Sequence, residues 1–477
     1  MFDNQSSLSR YDVIVIGSGI SGLVTSLILA KEGKKVALFE KDSDIAPLIR
    51  PYKRKDCACS PGLHIIGWMD EGEIISSFFK YLDISDGIET ESKSNGFGDI
   101  IIGAKKYHFP KGYVNIEKSL LTYFPESKIA VKNYLRLVRE INEQTFLLNH
   151  SLTPKLNQNK FGVFENFTLK ECLEKYQASQ ELIDLLGLFN YLLIGSKADE
   201  VPFNIHAFVL GGYYQSPGYL TLKGISRLLS NFKRELIKYG VNLFINSEID
   251  EILTDGNKNA IGVKTLNGDQ YFASTIIAAF NPKLLNEKIK SKALRPIYRQ
   301  RLNEIENTFG LYVAFFKIED NKRIEVDNFI YYNSKLDINL GAIINYTNGN
   351  SILCIFLADN RKKPIKINDR NNYAKEKFSV LENVVYDLIP ALQGKMVLID
   401  YLKPWSFERY TNTVNGSAYG VKHTVNSFGI QQRVPIHGLF LVGQAILPGF
   451  MGSMISGFNL ASELLETDNV WSRVINQ

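Results

Sequence analysis

The sequence predicts an α/β fold. A parallel sheet, discontinuous along the chain, carries an inserted domain of antiparallel sheet plus helices. Three observations predict it. A strand, glycine turn and helix open the chain at "VIVIGSGISGL". A similar unit, "GLFLVGQAILPGFMGSMISGF", lies near its end, from Gly438 to Phe458. Between them, helical periodicity gives way to strand-like runs and then returns. At 477 residues, 45% of them hydrophobic and 22% charged, the chain can bury a sizeable core and is not disordered by composition.

The first unit has the order a βαβ motif needs. Val13 to Ile16 are continuously apolar, as in a strand covered on both faces. Gly17, Gly19 and Gly22 supply a tight turn, close backbone approach to a pyrophosphate, and helix-on-strand packing. Leu23, Leu27 and Ala30 follow at helical spacing, and the N–H groups at that helix start favour phosphate. "KKVALFE" then makes a second strand ending in Glu40, whose carboxylate can accept hydrogen bonds from ribose hydroxyls. Together these features predict a Rossmann-like adenine-dinucleotide site and leave FAD and NAD both open.

Farther along, residues from about 70 to 210 read as mainly helical. In "SKIAVKNYLRLVREI", Val131, Tyr134, Leu135, Val138 and Ile141 share one face. From about 215 to 290, an amphipathic helix (Ile225, Leu228, Leu229, Phe232, Leu236, Ile237) leads into "VNLFIN". Short strands joined by "TDGN" and "LNGD" turns come next, then the buried strand "STIIAAF". From roughly 290 to 400, "GLYVAFFKIE", "FIYYN", "AIINYT", "SILCIFLA" and "MVLIDYL" predict a separate antiparallel sheet, interrupted by the helix "YAKEKFSVLENVVYDLIPAL".

Composition narrows the function. A net charge of +5 permits weak attraction to anionic membranes, but neither it nor any motif argues for nucleic acid. Cys57 and Cys59 lack the spacer of common zinc knuckles, and with only four cysteines no metal site and no disulfide framework is expected. "MFDNQSSLSR" lacks the pattern of a secretory signal, and the glycines within Val13 to Ala30 argue for a βα turn over a membrane span. The expected setting is cytoplasmic, with at most peripheral attachment to a membrane. Twenty-four Tyr and 29 Phe suit either a well-filled core or large apolar cavities.

Six segments together carry a family likeness: "IGSGISGL" with "FEK"; "SPGLHIIGWMDEG" leading into "FFKYLDI"; "FPKGYVNIEKSLLTYFPESK"; "EIDEIL"; "PWSFERYTNTVNGSAYG"; and the C-terminal "GLFLVGQAILPGFMGSMISGF". In this order they resemble the FAD-dependent phytoene desaturase superfamily, and within it the branch of retinol saturase and carotenoid isomerase. The resemblance implies FAD. It implies that Gly17, Ser18, Gly19, Ile20, Ser21, Gly22, Glu40 and Lys41 hold the adenosine and pyrophosphate, with Ile249 beside the adenosine. Gly443, Gln444, Gly449, Gly452 and Ser453 would then lie along the ribityl chain and flavin. Residues 1–70, 215–290 and 400–477 would form the FAD-binding domain, and 71–214 and 291–399 the substrate domain. One departure stands out: the family's Gly-Gly pair after the ribose acid is Ala46-Pro47 here, which removes an N–H donor and adds two Cβ atoms near the cofactor.

The implied chemistry is saturation, desaturation or cis–trans isomerisation of C=C bonds in a long apolar polyene or isoprenoid lipid. His64, in "GLHIIG", and Tyr410, in "FERYT", are the candidate proton-transfer residues, and Tyr213 and Tyr214 the candidate substrate contacts. His206 is a weaker candidate than either. Peripheral membrane contact follows from so apolar a substrate; the electron partner is not identified by the sequence. Two alternatives stand beside this reading: an amine oxidase-like enzyme, which requires a polar, carboxylate-lined cavity, and a flavin-poor relative that binds a lipid or partner.

Overall fold

The apolar run Val13–Ile16 forms the middle strand of a five-stranded, all-parallel sheet in the computed structural model. The structure describes residues 10–92, 95–144, 164–319, 329–333, 338–347, 350–359, 361, 365–466 and 469–475, so most of "MFDNQSSLSR" lies outside the described residues. The strand order is Leu439–Leu441, Thr275–Ala278, Val13–Ile16, Val36–Phe39, Asn242–Phe244. Val13 registers with Thr275 on one side and Val36 on the other, and Ile276 with Leu439. The middle strands lack polar alternation because both sheet faces are covered. Strands from both ends of the chain therefore lie within one sheet.

The helices following the first and last strands, Ile20–Lys31 and Gly449–Leu464, pack on each other. Their close crossing explains the small residues of the last helix. A Cβ on Gly457 would lie 2.9 Å from Thr25 Oγ1 and 3.0 Å from the Ser21 carbonyl oxygen. A three-stranded antiparallel sheet, Ile249–Thr254, Ala260–Thr265 and Gln270–Phe272, extends this half of the molecule.

The other half is organised by a seven-stranded sheet. Its order is Met396–Leu402, Gly310–Ile318, Asn350–Asp359, Ile338–Thr347, Phe329–Asn333, Gly98–Ile102, Lys105–Phe109. All pairs are antiparallel except Phe329–Asn333 with Gly98–Ile102, which run parallel. The helix Arg370–Leu388 covers one face through Leu381 and Val385, which pack with Tyr312 and Phe316. The opposite face contributes Val313, Phe315 and Cys354 to a second cluster beside the cavity described below.

The described residues from 70 to 210 are mainly helical, as expected, but they also hold strands that the sequence reading did not place. Gly98–Ile102 and Lys105–Phe109 form a hairpin on this sheet, and Thr90–Ser92 pairs with Gly218–Leu220. The run Ile100–Ile102 is apolar but only three residues long, so its period does not separate strand from buried helix. Its partner, Phe329–Asn333, lies far downstream. The helices that follow, including Lys128–Gln144, Gln180–Ile194 and Phe203–Gln215, pack into one cluster around Tyr134, Phe189 and Phe203.

Candidate active site and cofactor cradle

The three glycines of the first turn are needed for three different reasons. Gly17 has φ +101°, and a Cβ there would press on the Ala279 carbonyl oxygen at 2.9 Å. Gly22 sits against the turn itself, where a Cβ would collide with the Gly17 carbonyl oxygen. Gly19 faces open space: no atom lies within 4 Å of a Cβ built on it, and it lines a cavity of about 440 Å³. Gly19 also caps the helix Ile20–Lys31 without a side-chain hydrogen bond, and the first turn holds no acid. Its leading N–H groups form an anion site at the cavity wall, where Ile20 and Ser21 also lie.

Glu40 ends the second strand, 5% exposed, and lines the same cavity with Lys41. Its Oε2 accepts from the Ser18 N–H at 3.0 Å and the Ser18 hydroxyl at 2.5 Å, and its Oε1 from the Asp42 N–H at 3.0 Å. Ser18 is thus the buried brace of Glu40. A carboxylate offers about four acceptor positions, so capacity for one hydroxyl remains. Ile249, at the start of its strand, is a further lining residue.

The C-terminal unit arrives from the opposite side. Gly443, at φ +118°, brings its backbone beside the first helix, and a Cβ on it would sit 3.3 Å from Ser21 Oγ. Its N–H donates to Ser456 Oγ at 2.8 Å, which ties the turn to the helix after it. Gly449, at φ +78°, has no atom within 4 Å of its Cβ position and lines the cavity, as do Gln444 and Ser453. The helix Gly449–Leu464 also begins without a side-chain cap or an acid in its first turn. Gly452 does not line the cavity; a Cβ there would press on the Leu447 carbonyl oxygen at 2.5 Å, so its smallness serves the turn. Two uncapped helix N-termini and two glycines with open Cβ sides therefore border one space, which fits an extended dinucleotide.

Ala46 and Pro47 line this space, and Ala46 adopts φ +51°. The position keeps a glycine-like backbone although glycine is absent. Its N–H donates to the Ser18 carbonyl at 3.1 Å and lies 3.2 Å from the Ser18 hydroxyl.

The same cavity continues into a chamber walled by Leu63, Ile65, Trp68, Phe97, Leu192, Phe208, Tyr213, Leu311, Phe329, Phe356 and Phe407. Of the carboxylates and ammonium groups along the cavity, Glu40 and Lys41 follow a strand of the parallel sheet, and Glu248 and Lys288 pair with each other beside the three-stranded sheet. The chamber itself is the opposite of the carboxylate-lined pocket an amine oxidase-like reading requires.

His64 is brought to this chamber. Its ring lies nearly parallel to Phe356, centroids 6.3 Å apart, and its Nε2 is 3.8 Å from the Cys354 thiol. Burial pulls its pKa down to about 4, so the imidazole is neutral at physiological pH. Leu63 and Trp68, on either side, both take positive φ (+60° and +63°), a local strain of the kind found where backbone is shaped around a ligand.

Tyr213 also lines the chamber. Tyr214 does not, contrary to expectation: consecutive helical residues point about 100° apart, and its side chain is fully buried on the other side. There its hydroxyl meets Tyr134 Oη at 2.7 Å, and Tyr134 Oη lies 2.7 Å from His206 Nε2. His206 Nδ1 lies 3.0 Å from Asn190 Oδ1, so His206 is a satisfied core histidine whose pKa burial lowers to about 3. Tyr410 needs correction as well. Phe407 and Thr411, one turn apart on Pro404–Thr411, take the inward side; Tyr410 is 52% exposed, under Arg409 and outside the cavity. An exposed phenol outside the chamber cannot relay a proton within it.

One contact had no signal in the sequence. His423 donates from Nε2 to the Gln444 carbonyl at 2.9 Å and so fixes the turn that lines the cavity; burial lowers its pKa, with the Gln444 bond opposing. Gly420 packs on the Gln444 side chain, where a Cβ would come within 2.8 Å of Nε2. The four cysteines are buried and free, and the described residues contain no cluster suited to a metal. No helix of the described residues is long and apolar enough to cross a membrane.

Comparison with known proteins agrees with this arrangement. A family described as an NAD(P)-binding Rossmann-like domain matches residues 15–82. The chain is 22% identical to all-trans-retinol 13,14-reductase of Homo sapiens, over 98% of this chain and 87% of that protein. It is 24% identical to prolycopene isomerase 2 of an Oncidium hybrid cultivar, over 92% of this chain and 81% of that one. An oxidoreductase from Methanosarcina mazei shares the fold, with TM-score 0.67 at 15% identity over 94% of this chain and 99% of that one. The likeness to the phytoene desaturase superfamily is borne out by these relatives, and FAD is the cofactor they imply.

Proposed function

We propose that this chain, an FAD-dependent oxidoreductase of the phytoene desaturase-like superfamily, alters C=C bonds of a long apolar polyene or isoprenoid lipid, by saturation, desaturation or cis–trans isomerisation. One observation carries the reading: the cavity bordered by Gly19 and Gly449 continues into a chamber of aromatic and aliphatic walls. The relatives that share most of the chain's length are named for a retinol reductase and a carotenoid isomerase.

In this reading the turn Gly17–Gly22, with Glu40, Lys41 and Ile249, would hold the adenosine and pyrophosphate of FAD. Gly443, Gln444, Gly449 and Ser453 would follow its ribityl chain and flavin. We assign residues 1–70, 215–290 and 400–477 to the cofactor domain, and 71–214 and 291–399 to the substrate domain. When bound, FAD supplies hydride acceptance or donation. The chain's own residues do the rest. Apolar walls bind the lipid by burial, at about 0.8 kcal/mol per CH₂ removed from water, and exclude water from the reacting carbons. His64 faces the chamber as neutral imidazole, suited to accept a proton or to donate a ring N–H rather than to act as an imidazolium acid. Contact with a membrane surface is proposed on the greasiness of the substrate alone.

Anaerobic mixing of the reduced, FAD-loaded protein with a polyene tests the reading. Loss of polyene absorbance marks saturation; a geometric shift with flavin still reduced marks isomerisation. The oxidised, FAD-loaded protein is mixed in parallel, where bleaching of the flavin with a gain of polyene absorbance marks desaturation. Inertness in both redox states toward all-trans-retinol and a poly-cis carotenoid sinks the reading. His64→Ala should slow whichever reaction occurs, and an unchanged rate removes His64 from the chemistry.

A further inference from the structure

We propose that the lipid taken by this chamber carries a neutral hydrogen-bonding oxygen, a hydroxyl or carbonyl, received by the hydroxyl of Tyr213. The inference rests on the reading above and narrows it from any polyene or isoprenoid to one that is not a bare hydrocarbon.

The argument begins with how the neighbouring phenols are used. Tyr419 donates its hydroxyl to the Leu192 carbonyl at 2.5 Å. Tyr214 and Tyr134 share a hydrogen bond at 2.7 Å, and Tyr134 also meets His206. Tyr113 Oη reaches the Gly211 carbonyl at 3.5 Å. Tyr213 differs: among the described residues nothing hydrogen-bonds its hydroxyl, and it lines the cavity. Burial acting by itself raises its pKa to about 12, so it stays a protonated donor. Tyr213 is half-buried at the cavity wall, so water can serve its hydroxyl until a ligand displaces that water; an apolar ligand then leaves the donor unpaired, whereas one that carries an oxygen replaces the lost bond.

The phenol is also held in place. Its ring meets Phe97 edge to face at 6.0 Å. The preceding Gly212 is wedged against the Trp68 indole, 2.6 Å from where its Cβ would be, and against Gly67. The Trp68 indole N–H, itself unpaired, is buried against that backbone and does not compete for the ligand. A fixed donor in an apolar wall discriminates by what is left unpaired when the ligand lacks an acceptor. Charge decides the class of oxygen. The cavity's ammonium groups are Lys41, after a strand of the parallel sheet, and Lys288, paired with Glu248 beside the three-stranded sheet; His64 is neutral, so no cation among the aromatic and aliphatic wall residues meets a carboxylate.

The FAD-loaded full chain is titrated with all-trans-retinol and with the hydrocarbon in which hydrogen replaces the retinol hydroxyl, following quenching of tryptophan fluorescence. Retinol should bind about tenfold more tightly, the size of one neutral hydrogen bond. Tyr213→Phe should bring the ratio to about one, chiefly by weakening retinol; Tyr213→Leu, read the same way, serves if that variant folds poorly. A wild-type ratio near one, or a preference that survives both variants, overturns the assignment while leaving the lipid site intact. Binding of neither ligand overturns both readings.

Discussion

Ala46 carries the clearest residue-level tension. It stands at φ +51°, a left-handed conformation that costs a residue with a Cβ about 1–2 kcal/mol. It is held there by hydrogen bonding to Ser18, the same residue that braces Glu40. The sequence marked this position by the missing glycine pair and suggested that the added bulk would disturb the cofactor path. The geometry gives a different emphasis: the backbone has kept the glycine conformation, and the cost falls on stability. Ala46→Gly should therefore change the stability of the cofactor-free chain by no more than about 0.5 kcal/mol, because the strain relieved is offset by the added freedom of the unfolded chain and by the loss of a methyl that is 2% exposed. Urea unfolding reads this, and a loss of more than about 1 kcal/mol at unchanged slope would show that the turn stores no strain. Gly19 gives the complementary case. Its Cβ side faces only the cavity, so Gly19→Ala should leave the cofactor-free chain as stable as before and weaken FAD at least tenfold by equilibrium titration.

At the scale of elements, the buried helix Phe203–Gln215 makes the molecule sensitive to acid. His206 is fully buried between Tyr134 and Asn190, and its folded pKa of about 3 lies below the ordinary 6.5. The unfolded chain then binds the proton more readily, so this stability is complete above about pH 6.5 and is lost as pH falls toward the folded value. Between pH 7 and pH 5 the loss is about 2 kcal/mol for this one histidine. His206→Gln should shrink the pH dependence of unfolding by that amount; an unchanged dependence would mean His206 already titrates normally. Elements were unevenly legible in the sequence. Val13–Ile16, Thr275–Ala278 and Leu439–Leu441 were readable because strands covered on both faces are continuously apolar. Gly98–Ile102 was not, because its apolar run is short and its parallel partner is remote. The same contrast holds in the site. Gly17, Gly19 and Gly449 announced themselves by residue type. The outward turn of Tyr410, the back-facing Tyr214 and the His423 clamp on Gln444 depend on helix phase and tertiary packing, which no local pattern records.

At the scale of the whole molecule, the account rests on convergence. Strands from both ends of the chain lie in one sheet, their helices cross at Gly457, and their glycine turns meet where Gly443 approaches Ser21. The inserted seven-stranded sheet and helices then close the far end of the same cavity with apolar side chains. Gly449 is favoured by its φ of +78° as well, but a cofactor gripped at only one end would leave its open Cβ side facing nothing. The most direct test is the FAD-to-chain ratio of purified Gly449→Val beside wild type, with far-UV circular dichroism to verify folding. About one FAD per wild-type chain and almost none on the folded variant is the predicted result. A folded Gly449→Val chain that keeps its full complement of FAD would contradict the account.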